Sequence, residues 1–185
     1  MNSEAELTQL AKVAQIGVFA ISMFFSCTSQ ASAPYQIGDT GPGNGRIFYV
    51  YDGGSHGLEA ETFDQSGLVK WTSGVFTPDN NATRDGINAG IYNTERIISK
   101  QGAGNYAAQV CGKHLSGSGF TRIGDWYLPA KWELALLTQI VGLGLDYYWS
   151  STEYGTDAAW VQGGGGFQIT RLRNNTAKVR CVRSF

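Results

Sequence analysis

Hydrophobic and polar positions along the chain follow first one period and then another. Arg46 to Tyr51 (RIFYVY) is a β-branched and aromatic run stopped by Asp52-Gly53-Gly54, which predicts a strand. Residues 56–77 read as loops and short strands, with Leu58, Phe63, Leu68, Val69, Trp71 and Phe76 as core candidates. A helical period follows. Ile87, Ile91, Thr94 and Ile98 predict a helix over 80–100, capped by Asn81 or Thr83. A second helix is predicted over 105–115, with Ala107, Val110, Cys111 and Leu115 on one side. The clearest helix signal is DWYLPAKWELALLTQI, 125–140, with Pro129 at its first position. Its apolar arc holds Trp132, Leu134, Leu136, Leu137, Ile140 and Val141. Glu133 falls inside that arc, where a carboxylate must be paired or hydrogen-bonded. With no second acid or histidine nearby in sequence, it reads as a structural tie between the helix and a neighbouring loop. From Tyr147 onward the pattern is again that of strands: YYWSST, AAWVQ, FQITRLR and AKVRCVRSF, with Gly163 to Gly166 as a turn. Two antiparallel hairpins after the helices make an α+β fold.

The 185 residues suit one domain plus a short leader. Ile16 to Phe25 is an apolar run of signal-peptide length, too short to span a bilayer. Residues 1–33 therefore read as leader and linker, and 34–185 as the domain. Ser26-Cys27 resembles a lipobox, which makes Cys27 the lipidated residue; ordinary cleavage near Ala31-Ser32-Ala33 and a buried N-terminal helix are the other readings. With Cys27 lipidated, Cys111 and Cys181 remain, and two cysteines in an oxidising compartment usually pair. The formal charge of −1 steers no particular partner.

DWYLPAKWEL, YYWSSTE, AAWVQ and VRCVRSF, preceded by IGDTGPGNGRIFYVYDGG, together resemble the C-terminal domain of the Legionella collagen-like adhesins and their relatives. The resemblance spans Tyr35 to Phe185. It implies a C-type-lectin-like fold, with two or three helices and short antiparallel strands, on a bacterial or phage surface protein. Trp126, Leu128, Pro129, Glu133, Trp149 and Trp160 become scaffold, and Cys111 and Cys181 match the places where members carry cysteines. Gly164 departs from the pattern, since many relatives have an aromatic residue there. Some proteins of this architecture are targets of diversity-generating retroelements, with scattered hypervariable positions near the C-terminus. The unusual residues between 154 and 175 fit that reading and fit ordinary drift in surface loops equally well.

The chain contains no HExxH, CxxC or GxSxG motif, and His56 and His114 read as structural. No cofactor, metal, nucleic acid or enzymatic activity is expected. An oxidase of the formylglycine-generating type, a fold analogue, needs active-site cysteines that are here expected to be paired. The remaining expectation is a contact surface on an exported lipoprotein of the outer membrane or cell surface (or a secreted protein), held to the membrane by its lipid. Its residues are expected to be Tyr148, Tyr154, Thr156, Asp157, Val161, Phe167, Ile169, Arg171, Arg173, Asn174 and Asn175. Residues 158–185 contain five cations and no acid, which favours a protein or an anionic glycan as the ligand. A phage or envelope structural module without its own ligand is the alternative.

Overall fold

A computed structural model describes residues 34–74 and 79–185; the leader with Cys27, and the core candidate Phe76, lie outside them. The architecture is α+β. The chain forms β1 (Arg46–Tyr51), β2 (His56–Ala60) and β3 (Ser66–Lys70), then helices α1 (Ala89–Gln101), α2 (Ala107–Gly112) and α3 (Lys131–Ile140). Five strands follow: β4 (Tyr147–Tyr154), β5 (Ala158–Gly163), β6 (Gln168–Leu172), β7 (Thr176–Val179) and β8 (Val182–Ser184). They build a small sheet in the order β1-β2-β8 and a larger one in the order β3-β7-β4-β5-β6. Every pairing is antiparallel except β4 with β7.

That topology corrects the expected pair of hairpins. β4, β5 and β6 make a meander, but β7 does not turn back onto β6. It crosses to lie between β3 and β4. Buried Arg173, next to the turn into β7, accounts for the departure. Its guanidinium pairs with the Glu153 carboxylate at 2.7 Å and donates to the Gly155 carbonyl at 2.7 Å, so the chain is drawn across the sheet.

The first helix also starts later than its periodicity suggests. Asn80 and Ala82 donate their backbone N–H groups to Glu153, both at 2.9 Å, which holds 80–82 beside β4 and out of the helix. The expected caps, Asn81 and Thr83, both lie ahead of the observed start; the N-cap position is Asn88, which takes positive φ and makes no side-chain cap. Likewise Trp126 to Leu128 belong to the sheet side, because Tyr127 and Val182 exchange backbone hydrogen bonds at 2.8 and 3.0 Å. The third helix begins only after Pro129, and side chains from within the helix and from distant segments satisfy the free N–H groups of its first turn. Glu133 accepts from Ala130 at 2.7 Å, Thr152 from Lys131 at 2.9 Å and Asp85 from Trp132 at 2.7 Å. With this register Leu134 and Leu137 are buried, while Trp132 and Ile140 of the expected arc face outward.

Two cores result. One gathers Trp71, Ile97, Tyr106, Trp126, Trp149, Val161 and Val179; the other packs Phe48, Leu58, Tyr127, Leu134, Leu137, Tyr148 and Val182. Cys111 of α2 and Cys181, between β7 and β8, are joined as a disulfide with Cα atoms 5.4 Å apart. Of the core candidates in the first half, Leu58, Val69 and Trp71 are buried, whereas Phe63 and Leu68 are exposed. The glycine-rich start also has a structural use. Gly43 and Gly45 donate to buried Glu59 at 2.8 to 3.0 Å, and Arg183 closes the other side of that carboxylate at 2.9 Å.

Candidate ligand-contact face

The meander β4-β5-β6 carries most of the candidate residues, and its register decides which of them reach solvent. Directly opposed residues share a face, and neighbours along a strand alternate. Trp149, Val161 and Ile169 are one such row, extended by Tyr147, Ala159 and Arg171. Tyr148, Gln162 and Gln168 begin the other face, which continues through Trp160 with Thr170 and Tyr154 with Ala158 and Leu172.

Three candidates are corrected by their burial. Tyr148 (1% exposed) lies in the second core, where its hydroxyl donates to Asp64 at 3.2 Å. Burial, with the Asp64 carboxylate, raises its phenolic pKa. Val161 (0%) is central on its strand and covered on its face. Arg173 (5%) is committed to Glu153 and to the Trp71 ring, 4.8 Å from the guanidinium carbon.

The others reach the surface. Tyr154, Thr156 and Asp157 line the β4–β5 turn, Phe167 ends the β5–β6 turn, and Asn174 and Asn175 form the β6–β7 turn; all six are exposed. Ile169 is exposed and Arg171 half-buried on β6. They divide between the two faces. Tyr154 packs edge-on against Trp160 with ring centres 5.4 Å apart, while Phe167 and Arg171 meet Tyr147 on the opposite side. The turn preceding Phe167 is fixed, since a side chain on Gly164 would collide with the Gly144 carbonyl. Glycine at 164 therefore has a steric cause.

The expected basic surface is largely neutralised. Arg180 pairs with Asp64 at 2.6 Å, Arg183 with Glu59 at 2.9 Å, and Lys178 with Asp146 at 2.7 Å and Asp64 at 3.3 Å. The hydrogen bonds to Asp146 and Asp64 push the Lys178 pKa up. Arg171 differs, because its guanidinium lies over the Tyr147 ring at 5.0 Å.

Charge pairs formed across long sequence separations were beyond reach of the sequence reading, and so was part of the face itself. Lys131 Nζ lies 4.6 Å from the Trp160 ring centre and 3.5 Å from Asp85, and Trp132 stands exposed beside them. Asp85, Gly86 and Trp132 line a shallow groove of about 300 Å³. Two other grooves, of about 320 and 520 Å³, include none of the candidate residues among their described walls. The only signal for Trp132 was its place at the edge of an apolar arc whose register was then unknown.

Glu133 is buried and accepts hydrogen bonds from Ala130, Gly90 at 3.2 Å and the Tyr127 hydroxyl at 3.1 Å. Burial raises its pKa to about 7, while those hydrogen bonds oppose the shift. It joins α3 to the start of α1, as the structural reading anticipated. His114 contacts the Glu61 carboxylate and stands edge-on to Trp126, and His56 stacks on Tyr51.

No protein-family model matches the chain, and no curated protein matches it.

Proposed function

We propose that the domain is a ligand-binding, adhesin-like module of C-type-lectin-like architecture, exported and held at a bacterial surface by a lipid on Cys27. Its contact surface is the β5–β6 side of the larger sheet with the three turns that flank it. One observation carries this reading. Tyr154 (55% exposed) and Leu172 (49%) present large apolar side chains on one face of the meander and Phe167 (50%) on the other, with β4 and the β6–β7 turn tied together by the buried Arg173–Glu153 ion pair. Exposed aromatic anchors on a rigid support are the usual source of binding energy at recognition surfaces. The sequence patterns shared with the collagen-like adhesins support the same reading. An oxidase of the formylglycine-generating type would need free thiols, whereas Cys111 and Cys181 are bonded to each other.

The test is a screen of the exported chain against glycan arrays and displayed cell-surface proteins, repeated with Tyr154→Ala and Leu172→Ala. A captured ligand lost by both variants, with unchanged melting temperature, supports the proposal. Capture indifferent to both variants moves the site elsewhere, and uniformly blank arrays favour a structural envelope or phage module.

A further inference from the structure

The contact residues lie on two opposite faces of the sheet, which a ligand resting on one face does not explain. The open edge of β6 does. β6 is the last strand of the larger sheet, and β5 is its neighbour. Gly163 N–H donates to Phe167 O and Arg173 N–H to Asp157 O, each at 2.9 Å. With Ala159 opposite Arg171 and Val161 opposite Ile169, those bonds fix the phase of the ladder. Odd-numbered residues of β6 turn their N–H and C=O groups toward β5; Gln168, Thr170 and Leu172 turn theirs outward. The Leu172 carbonyl is taken by Asn175 N–H at 3.0 Å. Alternating side chains flank this edge: Ile169 and Arg171 on one face, Thr170 and Leu172 on the other. The strand has no proline and no lysine, the residues that commonly blunt an exposed edge.

We propose that β6 receives an extended, acidic-apolar segment of another protein as an added antiparallel strand. This rests on the contact-surface reading above and names its ligand class. An extended polypeptide is the occupant whose own side chains alternate, so it reaches the Tyr154–Trp160–Leu172 side and the Tyr147–Phe167–Arg171 side at once. Arg171 supplies the charge preference. Its Nε is buried and, among the described residues, has no hydrogen-bond acceptor, and no acid pairs with it. A carboxylate on the incoming strand pairs with that half-buried guanidinium. A second copy of β6 does not, since it brings a second Arg171 and no acid. With one cation on the strand, Arg171, the edge also suits a peptide better than a polyanionic glycan.

The probe is a heptapeptide alternating valine and glutamate, titrated into the full chain, with amide hydrogen exchange followed by NMR. The amides of Gln168, Thr170 and Leu172 gain protection, while those of Ile169 and Arg171 are already protected. The same peptide with alternate amides N-methylated loses binding. Thr170→Pro removes an outward N–H without touching the ladder to β5, so it weakens binding about tenfold or more at unchanged melting temperature. Arg171→Gln abolishes the preference for the glutamate peptide over a valine–lysine counterpart. Full binding by the N-methylated peptide, or by Thr170→Pro, overturns the proposal. So does a free chain that is already a dimer and is made monomeric by Thr170→Pro, because a second copy then holds the edge. If a ligand from the screens above depends on Tyr154 but not on Thr170, the contact surface stands and the added strand falls. If neither ligand nor peptide binds, both fall.

Discussion

Glu133 shows how one buried side chain serves the frame and carries a measurable signature. Its neighbours donate three hydrogen bonds, yet desolvation dominates and raises its pKa from 4.5 to about 7. The folded state thus binds a proton that the unfolded chain has released between those values. The associated stability is complete below about pH 4.5 and is lost as pH rises through 7. The shift corresponds to about 3 kcal/mol when fully expressed. The melting temperature is therefore expected to fall between pH 5 and pH 8. Glu133→Gln, which imitates the protonated acid, should flatten that slope. An equal slope in the variant would assign the pH dependence to other groups.

At the scale of elements, the disulfide ties α2 to the segment between β7 and β8 across a sequence separation of 70. Chain-entropy reasoning gives a bridge of that span about 4 kcal/mol. Replacing Cys111 and Cys181 together by alanine is expected to lower stability to denaturant by that order while leaving the contact face in place. A loss far smaller than this would mean that the reduced chain already keeps α2 near β7. The strands were the most legible elements. RIFYVY gave β1 its observed bounds, and YYWSST, AAWVQ and FQITRLR marked β4, β5 and β6 though not their connection, because period-two alternation survives in the sequence. Helix starts were less legible. The onset of α1 depends on Glu153 pulling 80–82 onto β4, and that of α3 on Asp85 and Thr152 reaching its N-terminus. Both are long-range contacts that no local period records. The same limit hid the fate of Arg173, whose partner Glu153 lies on a different strand.

Across the whole molecule, fixed and exposed positions interleave within single strands. Val161 of β5 is buried, while Ile169, opposite it on the edge strand β6, is exposed; Leu172 is exposed, while Arg173, the next residue, is buried. This separation of roles is the central claim, and saturating the exposed positions tests it most directly. A display library randomised at 154, 156, 157, 167, 169, 171, 172, 174 and 175, with 161, 164 and 173 kept, is scored for protease resistance with and without reductant. The account predicts that most members resist proteolysis like the parent and become sensitive only on reduction. Widespread loss of resistance under oxidising conditions would contradict it, since the contact residues would then be part of what holds the fold together.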